Sequence, residues 1–351
     1  MTIDRRWMLV AGSAALALSA TARCGLAQAA APADAGKIDI ARAKTEGRVT
    51  LYTSLDTQIV DTIIAPFRKK YGIEVTYFRA GSAEVTGKVL AEADAGRPQA
   101  DMVDASDLAG LFLMKERGLL RPFESAARGL LPASQRDPDA TWIVDRLTQG
   151  VLQYNVAEFG AAPPQHWADL GRREMAGRVS FWSASNGDGA PRIVTLAQHF
   201  GWDLVKSIAK TKPLRTVSPQ TMAQLVERRE RGVGLLQNDN IAWRSKLQGN
   251  GTDFLFPSEG VPSEVGACGL LKASTRPHAA ALFHEWWMSA EGQAFLSKGG
   301  KYSPRTDVAP PENSLPITKM KLLEQDYPTY KRDRAKILDQ MADVFGGEWG
   351  N

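Results

Sequence analysis

The chain has 351 residues, 44% of them apolar and 23% charged, enough to bury a large core and to divide into two domains. Its 43 basic and 39 acidic residues leave a net charge of +4, too small and too evenly mixed for a nucleic-acid partner. Beyond the first thirty residues no stretch reaches the roughly 18 uninterrupted apolar residues of a membrane span, so a soluble mature chain is expected.

Arg5 and Arg6 precede an apolar stretch over 7–22, and Ala27-Gln-Ala29 supplies the small residues of a cleavage site. This reads as an export signal over 1–29, removed near Ala29 to leave a periplasmic protein. The paired arginines resemble the twin-arginine type, with Sec export as the alternative. Of the two cysteines, Cys24 leaves with the signal and Cys268 stays, so no internal disulfide is expected.

An Ala-rich leader and a short helix before Gly47 come first. Val49, Leu51 and Tyr52 then mark a strand over 48–52, and Ile59, Ile63, Ile64 and Phe67 recur at helical spacing over 57–70 before a stop at Gly72. A strand over 73–78, a helix over 83–95, a strand over 100–104 and a helix to about 117 follow. Three strand–helix alternations in about seventy residues are the signature of an open α/β sheet with parallel strands, and such sheets bind ligands at the carboxyl ends of their strands. Three turns lie there, carrying Thr53 and Ser54, Gly81 and Ser82, and Asp104 and Ser106. Free backbone N–H groups and the helix dipole at such turns suit an anion. The plainer reading is that each serine, or Asp56, only caps its helix.

Residues 119–150 carry few regular signals, and 150–155 read as a strand crossing between two lobes. The same grammar then restarts. A helix over 166–176 and a strand over 178–182 lead into a donor-rich loop with Ser183, Ser185 and Asn186, and a helix over 192–200 follows. A helix over 219–231 and a buried strand over 232–236 deliver Asn238 and Asn240 to another helix, and a strand over 253–256 closes the lobe. The small apolar run 264–271 suits a second crossing. Helices over 277–289 and 290–296, a loop over 301–305 ending in Arg305, and helices over 316–326 and 330–345 finish the chain. The expected division is 30–150 with 270–310 as the first lobe, 151–265 as the second, and C-terminal helices over 311–351 packing across both.

Gly47-Arg-Val-Thr-Leu-Tyr-Thr-Ser54, Tyr71-Gly-Ile-Glu-Val75, Gly81-Ser82, Ala100-Asp-Met-Val-Asp104, Lys115-Glu-Arg-Gly-Leu-Leu120, Tyr154-Asn155 and Ser289-Ala-Glu-Gly-Gln293 follow the export signal in a telling order. Together they resemble the periplasmic solute-binding proteins of ABC importers, in the branch that includes the ferric-iron-binding proteins. The resemblance covers nearly the whole mature chain. It implies an α/β fold of the two-lobed, periplasmic-binding-protein-like type II, with a hinge of crossing strands. It also implies a small-molecule solute held between the lobes, delivery to an inner-membrane ABC permease, and action as a monomer. Iron-binding members resemble one another in a pair of adjacent tyrosines after a Gly-Val-Gly-Leu strand. Here Asn238-Asp-Asn-Ile-Ala-Trp243 stands at that place, and Leu55-Asp-Thr-Gln58 stands where a His or Glu often follows the first strand. Phenolates suit a hard ferric ion and amides do not replace them, so no metal site is expected.

The expected solute is therefore a small polar, anionic organic molecule. Ser54, Ser82 and Ser106 would bind one side of it, and Ser183, Ser185, Asn186, Asn238 and Asn240 the other. Trp243 and Trp182 would offer flat apolar walls, and Arg305 or Arg192 a bidentate grip on a carboxylate or phosphate. Ferric-ion binding through an exogenous anion is the alternative. A secreted hydrolase is a more distant one, because the four histidines have neither zinc nor triad spacing and Gly-x-Ser-x-Gly is absent. Asp101, Asp104 and Asp188 form no recognisable acid–base pair, so neither an enzyme nor a cofactor is expected.

Overall fold

The computed structural model describes residues 38–106, 108–183 and 190–347. The expected export signal over 1–29, Asp107, Ser185, Asn186 and Asp188 lie outside the described residues. Among the described residues no helix is long and apolar enough to cross a membrane.

Helix α1 (Ile40–Glu46) leads into β1 (Arg48–Thr53), α2 (Thr57–Tyr71), β2 (Glu74–Arg79), α3 (Ser82–Asp94), β3 (Met102–Ala105) and α4 (Leu108–Glu116). The apolar spacing of α2 turns Ile59, Val60, Ile63, Ile64 and Phe67 inward, each burial contributing roughly 1.5–3 kcal/mol. Gly72 ends the helix at φ +71°, a left-handed conformation that glycine adopts without steric cost. Strands β2, β1 and β3 lie side by side and parallel, with Thr53 opposite both Arg79 and Asp104. This register brings the carboxyl ends of all three strands to one rim.

The short β4 (Leu120–Arg121) precedes a long strand, β5 (Ile143–Asn155), followed by α5 (Val156–Phe159), β6 (Val179–Trp182), α6 (Ala190–Phe200), α7 (Trp202–Ala209) and β7 (Leu214–Thr216). Then come α8 (Pro219–Glu227), β8 (Val233–Asn238), α9 (Asp239–Leu247), β9 (Thr252–Leu255) and a second long strand, β10 (Val261–Leu271). The chain finishes with α10 (Pro277–Met288), α11 (Ala290–Lys298), β11 (Leu322–Glu324) and α12 (Tyr327–Phe345). The strand order is β2-β1-β3-β10-β5-β8-β6-β7, with β4 and β11 on β10 and β9 on β5.

Two hydrophobic cores result. The first holds Val49, Leu51, Phe67, Met102, Phe283, Trp286 and Trp287, and the second Leu152, Trp167, Phe181, Val233 and Leu235. Strand β5 gives Ile143, Val144 and Leu147 to the first core and Leu152 to the second. Strand β10 gives Cys268 and Leu270 to the first and Val261 to the second. These antiparallel neighbours are the connection between the two halves of a curled α/β sheet. Helix α12 sends Leu338 and Met341 into the second core and also touches α4.

Several segments differ from the sequence expectation. The crossing strand begins at Ile143 rather than 150, because its early half buries Asp145, Arg146, Thr148 and Gln149, whose polarity masks a strand pattern. The helix expected over 166–176 is two 3₁₀ turns, Trp167–Gly171 and Arg173–Met175. There Asp169 Oδ2 accepts from the backbone N–H of Gln165 and His166 at 2.8 and 2.9 Å and tightens the turn. The helix expected over 316–326 is a 3₁₀ turn, Ile317–Lys319, followed by β11. Leu323 is buried there, and Leu322 pairs with Val261 of β10. Helix α7 and strand β7 fill a span left unread in the sequence.

Candidate functional site

At the shared rim of β1, β2 and β3, three serines meet. Ser54 Oγ lies 3.1 Å from Ser106 Oγ, and the Ser106 N–H donates to both Ser54 Oγ at 2.9 Å and Ser82 Oγ at 3.1 Å. The equivalent turns thus converge, and Ser54 spends its hydroxyl on this cluster rather than on capping α2. Asp56, at the α2 N-cap position, makes no side-chain cap and pairs instead with Arg79 at 3.4 Å. Gly81 precedes α3, which has no side-chain cap either. Two helix starts without a side-chain cap therefore face the same rim as three hydroxyls, an arrangement suited to anion oxygens.

The cluster is completed by a residue the sequence reading missed. Arg146, on β5, donates from Nη2 to Ser54 Oγ at 3.1 Å and to Ser106 Oγ at 2.9 Å. Its Nη1 pairs with Asp104 and, at 2.7 Å, with Asp145. The guanidinium lies flat across Gly266 of β10, where an added Cβ would come within 2.2 Å of Cζ. Burial opposes the charge of Arg146, but Asp104 and Asp145 outweigh it and push its pKa up. Burial, followed by the negative charge of Asp104, holds Asp145 far above the usual carboxylate range. Thr53 and Asp104 act behind this surface and not on it. Both are fully buried, the Thr53 hydroxyl donates to Asp104 Oδ2, and Thr53 Oγ1 accepts from Leu55 N at 2.9 Å.

In the second half, Leu236 takes φ +56° near the end of β8, a strained left-handed bend for a branched residue, just before the segment that starts α9. Arg192 of α6, also buried, donates to Leu236 O at 3.1 Å, Asn238 Oδ1 at 2.5 Å and Glu264 Oε2 at 2.6 Å. Asn240 is fully buried, and its Oδ1 accepts from Lys301 Nζ at 2.9 Å, while Lys301 also donates to Thr148 Oγ1 at 2.9 Å. Burial pushes Lys301 down to about 8 against the pull of Asp239, and burial pushes Asp239 up to about 6 against the pull of Lys301. Lys301 also feels the charges of Asp56, Arg146 and Arg192.

Three of the expected contact residues also have partners within the protein. Arg305 is buried and engaged by Asp307 through Nε at 2.9 Å and Nη2 at 2.7 Å, and by Met288 O at 3.0 Å, so its fork is not open to a ligand. Trp243 donates from Nε1 to Glu312 O at 2.6 Å, and its ring covers Gly300, where a Cβ would meet it at 2.7 Å. Ser183 is buried, with its N–H on Thr216 O at 3.0 Å and its carbonyl on Arg215 Nε at 3.1 Å. Arg146 and Lys301 went unread for opposite reasons. Arg146 interrupts an apolar run at Ile143-Val-Asp-Arg-Leu147, a signal that charge is being buried in a strand, whereas Lys301 follows a glycine pair like any surface loop lysine. Among the described residues no group of three or more His, Cys, Asp or Glu side chains is placed to hold a metal ion.

The sequence model of the bacterial extracellular solute-binding protein family matches residues 62–323, and the chain belongs to that family. It is thus a solute-binding protein of the kind that serves ABC importers, with the type II periplasmic-binding-protein fold. It is 26% identical over 306 residues to an uncharacterized protein of Haemophilus influenzae, covering 82% of this chain and 87% of that one. Among solved structures it is similar to the periplasmic binding protein AfuA of Actinobacillus pleuropneumoniae with exogenous fructose-6-phosphate bound. That match has a TM-score of 0.71 at 24% identity and covers 85% of this chain and 98% of that one. It is also similar to iron-bound HitA of Pseudomonas aeruginosa, with a TM-score of 0.71 at 20% identity, covering 85% and 99%.

Proposed function

We propose that this protein captures a small polar organic anion in the periplasm and hands it to an inner-membrane ABC permease. The anionic group, a phosphate or phosphonate above all, sits on the hydroxyls of Ser54, Ser82 and Ser106, with the positive guanidinium of Arg146 holding Ser54 and Ser106 from behind. The observation that carries this reading is the meeting of three serines from three separate strand–helix turns, two of them, Ser54 and Ser106, also held by one buried guanidinium. Hydroxyls donate to anion oxygens at hydrogen-bond distance beside a fixed positive guanidinium, and helix starts without a side-chain cap add N–H groups with positive potential. The sugar phosphate bound to AfuA supports the choice of a phosphate-bearing solute. Export through residues 1–29, action as a monomer, and closure of the lobes about β5 and β10 belong to the same proposal.

The likeness to iron-bound HitA makes ferric ion the rival cargo. The chemistry of the second half speaks for the organic anion. Amides and a lysine ammonium occupy the start of α9, and Tyr302 donates its hydroxyl to Leu315 O at 2.8 Å. A thermal-shift screen of the purified mature protein against organic phosphates, phosphonates, carboxylates and ferric citrate tests the reading. A ligand with a Kd of 1 µM, present at 1 mM, should add roughly 4 kcal/mol. A shift with iron alone, accompanied by a charge-transfer colour, would overturn it.

A further inference from the structure

The space between Arg146 and the start of α9 holds polar atoms whose hydrogen bonds are unspent. Asn240 gives its Oδ1 to Lys301, which leaves its Nδ2 without a partner. Asp239 Oδ2 is likewise unpartnered, and so is Nε of Arg192. Lys301 has three N–H donors and spends two, both on neutral oxygens, Thr148 Oγ1 and Asn240 Oδ1. Asn240, Asp239 and Lys301 are 0%, 2% and 6% exposed, so these are buried atoms, where an unmet hydrogen bond costs on the order of 1–3 kcal/mol.

The mixture of signs decides what fits. A second anion would satisfy Lys301 and Asn240 Nδ2 but would face the carboxyl of Asp239. A cation would suit Asp239 but would face Lys301, Arg192 and Arg146. A hydroxyl both donates and accepts, so a row of hydroxyls can accept from Lys301 and Asn240 Nδ2 while donating to Asp239 Oδ2. These atoms are buried, so a solute that reaches them replaces the Lys301–Asn240 hydrogen bond.

We propose that Lys301, Asn240 and Asp239 form a second subsite that takes a neutral, hydroxyl-bearing end of the solute, making the solute class a phosphorylated polyol. This rests on the reading that Ser54, Ser82, Ser106 and Arg146 hold the phosphate. It adds that the remainder of the molecule is read by Lys301, a residue from the loop after α11, together with the first residues of α9.

Isothermal titration of the mature protein with inorganic phosphate, n-butyl phosphate and a hexose phosphate separates the two claims. The expected order is hexose phosphate at least tenfold tighter than butyl phosphate. Asn240→Leu and Lys301→Met should each bring hexose phosphate down to the butyl phosphate level while leaving butyl phosphate unchanged, and that unchanged binding also shows that the variants fold. Equal binding of butyl and hexose phosphate by the wild-type protein would overturn the subsite alone. An equal loss of both ligands in the variants would also overturn it, by showing a structural role only. No binding of any of the three would sink the phosphate site and the subsite with it.

Discussion

Replacing Arg146 with Met removes the residue that joins the binding rim to the buried frame, and its two effects can be read separately. Asp104 is fully buried and loses its cationic partner, while Asp145 holds its proton more readily and is affected less. Breaking one side of a buried ion pair typically costs 3–5 kcal/mol, which lowers the melting temperature by on the order of 10 °C. The hydroxyls of Ser54 and Ser106 lose a donor at 3.1 and 2.9 Å but can turn to water, so the rim adds little to that loss. For the solute, losing the positive charge and the charge-assisted hydrogen bonds that hold Ser54 and Ser106 should weaken binding by about 1.5–3 kcal/mol, or roughly 10- to 150-fold. The informative comparison is the double variant Arg146→Met with Asp104→Asn, followed by thermal melts and calorimetric titration with an organic phosphate. It should recover most of the lost stability, because no unpaired charge remains, yet none of the lost affinity. If the double variant melts as low as the single one, or if the single variant binds within twofold of wild type, the assignment of Arg146 is wrong.

Gly266→Ala should push the Arg146 guanidinium off the serines, because the new Cβ would lie 2.2 Å from Cζ. Titration should show at least a tenfold loss of affinity, and melts a stability loss of about 1–3 kcal/mol. Asp145→Asn imitates the neutral form of a carboxyl whose ionisation burial opposes. An acid whose folded pKa is raised costs stability as pH climbs from its unfolded to its folded value, at about 1.4 kcal/mol per unit, so the variant should gain on wild type at pH 8 and gain much less at pH 5. A flat difference across that range would count against a buried, protonated Asp145. His284 is pushed by burial down to about 3, so its contribution is present above the unfolded value near 6.5 and is lost as pH falls toward 3. His284→Leu should therefore lose roughly 3 kcal/mol less than wild type between pH 7 and pH 4 in urea melts.

The first half was legible because its signals are local. Each strand is a short apolar run, each helix has a stripe such as Ile59, Ile63 and Phe67, and each of Ser54, Ser82 and Ser106 stands where one period gives way to the other. Parallel pairing then forces the three turns to one rim, so a pattern in the sequence became a cluster in space. The second partner of that cluster was illegible because it depends on pairing distant in sequence. Arg146 is tolerable inside a strand only because Asp104 lies 42 residues earlier and Gly266 lies across the sheet. Arg305 shows the reverse error. An arginine in a late loop reads as open, but Asp307, two residues on, closes its fork.

The same pairing bears on how the proposed site would select an anion. Arg146 faces Asp104 and Asp145, Arg192 faces Glu264, and Lys301 is opposed by Asp239, so each buried cation has acidic groups close by. Each of these three cations therefore has its charge offset nearby, and the rim offers little net charge to draw an ion from a distance. Selection would then act at short range, through donors at the rim: the serine hydroxyls and the starts of α2 and α3. The acidic partners thus have a positive role. Without Asp104 and Asp145, the guanidinium would be free to swing toward whatever anion entered. With them, its outer edge is fixed against Ser54 and Ser106, and an anion is held only if its oxygens match that geometry.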